Sequence, residues 1–137
     1  MPPVTRAPDP LPGQRQSTPL GAYVGHYPND AVDGVTFYDR TEVAGLLIDA
    51  VPEEPLRRTI VDRDATTVPI VRIGSRIAAH GCEAHNCADH NWTVLVSADG
   101  NRDAGTVCYH DAATMQGSSR WTTRAGTEKR SGDCPQG

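Results

Sequence analysis

Most of the chemistry of this 137-residue chain is gathered in one stretch, His80-Gly81-Cys82-Glu83-Ala84-His85-Asn86-Cys87-Ala88-Asp89-His90-Asn91. Two cysteines and three histidines fall within eleven positions, and the pattern admits three chemistries. In the first, His80, Cys82, His85, Cys87 and His90 are thiolate and imidazole ligands of the kind that suit zinc or copper. Against it, structural zinc sites draw ligands from two separated knuckles, and the only second half-site on offer is Cys108 with His110. In the second, Cys82 or Cys87 forms a thiolate–imidazolium pair with His85 and acts as a nucleophile. A second cysteine five residues away would readily oxidise such a thiol, and no Gly-rich turn entering a helix stands beside it. In the third, Cys82 and Cys87 bond to each other and hold Glu83-Ala84-His85-Asn86 outward as a pinned loop. Such a loop loses little entropy on docking, and His85 near its apex can both donate and accept hydrogen bonds.

The choice among these depends on the other cysteines and on the compartment. Cys82, Cys87, Cys108 and Cys134 make an even set, which in a small acidic domain fits two disulfides and an oxidising environment. Four cysteines allow three pairings, and the sequence does not choose among them; local geometry favours Cys82–Cys87 and Cys108–Cys134. Met1-Pro2-Pro3-Val4-Thr5 has neither a basic n-region nor an apolar h-region. A removed leader reconciles this with the disulfides, and a cytosolic protein with reduced thiols is the competing reading. The longest apolar run, Leu46-Leu47-Ile48, is far too short to span a membrane.

The elements that must position the loop are short. Aromatics make up only 5% of the chain, and 13 Gly with 11 Pro favour strands and turns over a helical bundle. Seventeen acidic against thirteen basic residues give a net charge of -4, the wrong balance for a general nucleic-acid binder. Residues 1–20 hold six prolines and no periodicity, so they read as a disordered segment or linker. The folded domain is then 21–137, with its first structured residues near Tyr23. Asp39 and Glu42 have capping-box spacing, and Val43, Leu46, Leu47, Ala50 and Val51 recur at helical spacing. Together they predict a helix over 40–51, stopped by Pro52. A shorter helix is expected over 53–61, with Leu56, Ile60 and Val61 inward. Beyond it the period changes to that of strands: 68–73 and 76–80 around Gly74-Ser75, then 92–96, 106–110 and 120–124. Strands joined by short turns pair antiparallel. The expected architecture is α+β, a single domain with an antiparallel sheet of about five strands and flanking helices.

Cys82-Glu83-Ala84-His85-Asn86-Cys87 resembles the Cys-Lys-Pro-His-Asp-Cys loop of the Ivy family, the periplasmic inhibitors of vertebrate c-type lysozyme. The surroundings are similar too: a strand running into Gly81-Cys82, then Asp89, Asn91 and the strand-forming Trp92-Thr93-Val94-Leu95-Val96. The resemblance implies an antiparallel sheet flanked by helices and a loop that projects into a lysozyme cleft, with His85 meeting the catalytic carboxyls. It implies a partner of the lysozyme-like glycoside hydrolase class, a periplasmic or secreted location, no catalytic residue, no metal and no cofactor. The family includes dimers, which admits a homodimer here. The chain departs from the family at Glu83, Ala84 and Asn86, where the motif has lysine, proline and aspartate. His80 and His90 are expected at the base of the loop as hydrogen-bonding supports. Asp89 is expected to accept backbone N–H bonds where the loop rejoins the strand. Cys108-Tyr109-His110-Asp111 has the look of a catalytic dyad, but a strand end turning into a loop explains it equally well. Trp92 and Trp121 are expected to pack in the core or on a sheet face.

Overall fold

A computed structural model describes residues 18–136, so all but the last three residues of the proline-rich 1–20 segment lie outside the described part. Its centre is an antiparallel meander, β3 (Arg76–Cys82), β4 (His90–Ser97), β5 (Thr106–Asp111), β6 (Ser118–Thr123) and β7 (Gly126–Ser131). Two short strands, β1 (Thr66–Thr67) and β2 (Val71–Ile73), share the free edge of β3 and complete a seven-stranded sheet. Helices α1 (Thr41–Ala50) and α2 (Glu54–Val61) precede it, and a one-turn α3 (Ala112–Met115) joins β5 to β6. This is the expected α+β domain, with two more strands than expected.

The two faces of the sheet are built differently. Ile77 and Ala79 of β3, Trp92, Val94 and Val96 of β4 and Val107 of β5 point one way. They share a core with Val43, Leu46, Leu47 and Ala50 of α1, and with Tyr23, Phe37 and Tyr38. Alternation turns Ala78, His80, Cys82, Asn91, Thr93, Leu95, Cys108 and His110 to the other face, where all are buried. Gly81 stands opposite Trp92, and a Cβ there would lie 2.6 Å from the indole Nε1, so the core tryptophan requires the glycine.

Several local expectations are corrected. Helix α1 starts at Thr41 without a side-chain cap. Asp39 ends a 3-10 turn (Phe37–Asp39) and accepts from Thr36 Oγ1, while Glu42 turns to the buried Arg40, 2.7 Å from its Nη2. The capping box is displaced because a buried guanidinium outcompetes a backbone N–H for the carboxylate. Val61 is exposed, leaving Ile60 as the buried anchor of α2, with Leu56 half-buried. The expected strand over 68–73 is split. Pro69 has no N–H to give to a ladder, and Ile70 pairs instead with the early chain, its N–H donating to His26 O and its carbonyl accepting from Gly25 N. The core also begins before Tyr23, since Leu20 is buried.

Candidate functional site

Two disulfides are present, Cys82–Cys87 and Cys108–Cys134, and no cysteine is free. With its sulfurs bonded to each other, the 82–87 ring has no thiolate for a metal or for nucleophilic attack. Among the described residues no group of three or more His, Cys, Asp or Glu side chains is arranged to hold a metal ion. Cys108, in the dyad-like run, is likewise bonded, and His110 Nδ1 donates to Ser118 O at 2.7 Å, an interaction within the sheet.

The loop is anchored at one end and displayed at the other. Cys82 is the buried last residue of β3, whereas Glu83, Ala84, His85 and Cys87 are exposed. Asn86 N donates to Glu83 O at 3.0 Å, closing a four-residue turn with Ala84 and His85 in its centre. His85 has φ +63° and Ala84 is not among the positive-φ residues. That combination matches a type II turn, whose third position prefers glycine or asparagine and whose second prefers proline. A histidine therefore occupies the apex in the left-handed backbone region, which non-glycine residues adopt uncommonly and histidine more readily than most. Glu83 N donates to His90 O at 3.0 Å, so the ring sits directly on the last rung of the β3–β4 ladder.

The supports beneath the ring belong to two separate networks. On the helix-covered face, Glu83 accepts from Asn86 Nδ2 at 2.9 Å, and its other oxygen lies 3.4 Å from His90 Nδ1. His90 Nε2 meets the Tyr109 hydroxyl at 2.7 Å, and both the Trp92 and Tyr109 rings stand edge-on to the imidazole. The Arg120 guanidinium lies 5.5 Å from the centre of the Tyr109 ring and pairs with Glu53, whose carboxyl it holds below the usual range. Burial pushes the Tyr109 phenol up. Exposed Glu83 thus meets the loop's Asn86 amide with one oxygen and the His90 imidazole at the base of the loop with the other.

On the opposite face the ring is tied to the C-terminal tail. Asn91 Nδ2 donates to Cys87 O at 2.8 Å, and its Oδ1 accepts from Cys134 N at 3.2 Å. Thr93 Oγ1 donates to Pro135 O at 2.6 Å. With that proton committed, the 2.8 Å contact between His80 Nδ1 and Thr93 Oγ1 requires the imidazole to donate. Burial pushes His80 below its ordinary value. His80 therefore braces the tail rather than the displayed turn.

Asp89 acts through its backbone: its N–H donates to Asn86 O, and its carbonyl accepts from Ala112 N at 2.8 Å. The carbonyl, where the carboxylate was expected, carries the contact. Trp92 is fully buried, and half-buried Trp121 carries the Arg130 guanidinium 4.3 Å from its ring centre. Sequence reasoning missed Asn91 and Tyr109 as supports. Asn91 lay inside the singled-out stretch, and its signal was an amide on an inward-facing strand position.

No helix among the described residues is long and apolar enough to cross a membrane. Compared with protein families, with curated proteins and with solved structures, the chain has no match.

Proposed function

We propose that this protein inhibits a lysozyme-like muramidase by inserting the 82–87 loop into the enzyme's active-site cleft, and that it acts in the periplasm or outside the cell. The observation that carries the reading is the apex of the loop: an exposed imidazole in the left-handed backbone region, on a turn closed by a disulfide. A glycosidase cleaves with one carboxylic acid and one carboxylate flanking the scissile bond. An imidazole placed between them can hydrogen-bond both, and the loop around it excludes sugar and water. Preorganisation by the ring keeps the entropic cost of docking low. The excess of carboxylates over basic groups (net charge -4) suits a cationic partner and speeds encounter with it. The reading assigns this chain no catalytic residue and no cofactor.

The test is a lytic assay against a panel of muramidases, comparing wild type with His85→Ala. Inhibition by the wild type that falls at least tenfold in the variant is the expected outcome. Equal inhibition by the two would overturn insertion of His85. Binding without inhibition would instead identify a binding module that shares the loop.

A further inference from the structure

His90 stands between the displayed turn and the sheet, and both of its ring nitrogens are engaged. Nδ1 lies 3.4 Å from Glu83 Oε2, and Nε2 lies 2.7 Å from the Tyr109 hydroxyl. A neutral imidazole carries one N–H, so one nitrogen donates and the other accepts. Ionised Glu83 can only accept, which places the proton on Nδ1 and leaves Nε2 to accept from the Tyr109 O–H. Burial, the largest influence on the Tyr109 phenol, raises it and so keeps it protonated and able to donate. The other tautomer would set the Nδ1 lone pair against a carboxylate oxygen, a repulsive contact.

The contacts therefore run in one direction. Tyr109 donates to His90, His90 turns its N–H toward Glu83, and the second Glu83 oxygen accepts from Asn86 Nδ2 at 2.9 Å. Glu83 and Asn86 are the first and last residues of the turn that carries Ala84 and His85 in its centre. Their side chains bridge the same two positions that the backbone bond closes. Glu83 is exposed, however, and an exposed glutamate left to itself samples many rotamers. Its pose is set from below, by an imidazole that the Trp92 and Tyr109 rings hold edge-on. Those rings are themselves fixed, since Trp92 is fully buried and the Tyr109 ring carries the Arg120 guanidinium, which Glu53 pairs.

We infer that Tyr109 is a positioning residue for the displayed loop: its hydroxyl fixes the Nδ1–H tautomer of His90 and, through Glu83 and Asn86, the pose in which His85 is offered to its target. The effect on inhibition rests on the muramidase reading, whereas the tautomer rests on the contacts alone. Tyr109 acts through His90 and needs no contact with the target. A hydroxyl on β5 thus governs a turn that lies between β3 and β4, across the one register that brings them together.

The experiment combines nitrogen-15 NMR of the histidines at pH 8.5, above the imidazole range, with muramidase inhibition. In the wild type His90 should be protonated at Nδ1 and unprotonated at Nε2. Tyr109→Phe keeps the ring and removes the hydroxyl; it should lose that tautomer preference and inhibit at least threefold more weakly. Glu83→Ala should also weaken inhibition, and the double variant should be no weaker than the weaker single, because both break one chain of contacts. A wild-type His90 protonated at Nε2, unchanged inhibition by Tyr109→Phe, or single losses that multiply in the double variant would each overturn the inference. In those three cases a loss of inhibition in His85→Ala leaves the muramidase reading standing. If Tyr109→Phe does not fold, the wild-type tautomer alone decides. If the wild type inhibits no muramidase, the positioning role falls with that reading.

Discussion

The two disulfides do opposite work with the same bond. Cys108 and Cys134 are both buried, and the tail they fix lies against Asn91, Thr93 and His80 in a hydrogen-bonded layer. Cys82 and Cys87 enclose residues whose side chains face solvent, with one sulfur-bearing residue buried and the other exposed. One bridge converts a polar C-terminal segment into part of the interior. The other removes freedom from four residues that contribute little to any core. A cross-link stabilises a fold by an amount that grows slowly, as the logarithm of the chain it closes, but it serves recognition through what it leaves outside.

That contrast is open to direct attack. Replacing Cys108 and Cys134 together by serine should cost about 3.5 kcal/mol, and the corresponding change at Cys82 and Cys87 about 2 kcal/mol, from the lengths of the closed loops. Denaturant unfolding checks both. The functional order should be reversed, with the smaller loss of stability accompanied by the larger loss of inhibition. Equal functional losses would dissolve the distinction. A smaller effect tests the turn itself. Ala84 holds the position that proline preorganises in a type II turn, so Ala84→Pro should stabilise by about 0.4–1 kcal/mol and tighten inhibition. A destabilised Ala84→Pro would show that the turn differs from the one described.

The last test is a slope rather than an offset. His80 under the tail has its pKa depressed by burial, so the unfolded chain binds a proton that the folded chain resists. Its contribution is fully present above the unfolded value, near 6.5, and is lost as pH falls from there through the folded value. Stability of the wild type should therefore fall between pH 7.5 and 5 more steeply than that of His80→Gln. Identical profiles would show that the tail layer does not depend on a neutral His80.

How much of this was legible depended on which face a residue served. Val43, Leu46, Leu47 and Ala50 reported α1 because they repeat against a core, and Pro52 marked its end. Strand β7 was invisible because all six of its residues are exposed. An edge strand defended by Glu128, Lys129 and Arg130 carries no apolar alternation to read. Helix α3 is four residues long, below any periodic signal. In the site, the ring and its histidine stood out by composition. The support from Tyr109 and the tail did not, because it comes from residues distant in sequence that only the β4–β5 register brings together. Arg40 illustrates the same limit: nothing local announces that an arginine will be almost wholly buried beside Glu42 and the Tyr23 ring.

Asn91 touches both disulfide-closed regions with one amide, holding Cys87 through its nitrogen and Cys134 through its oxygen. The displayed loop and the segment around Cys134 are therefore joined through a single side chain. Any displacement of Cys134 would pull on the footing of the displayed loop through that amide, so each disulfide registers a disturbance at the other.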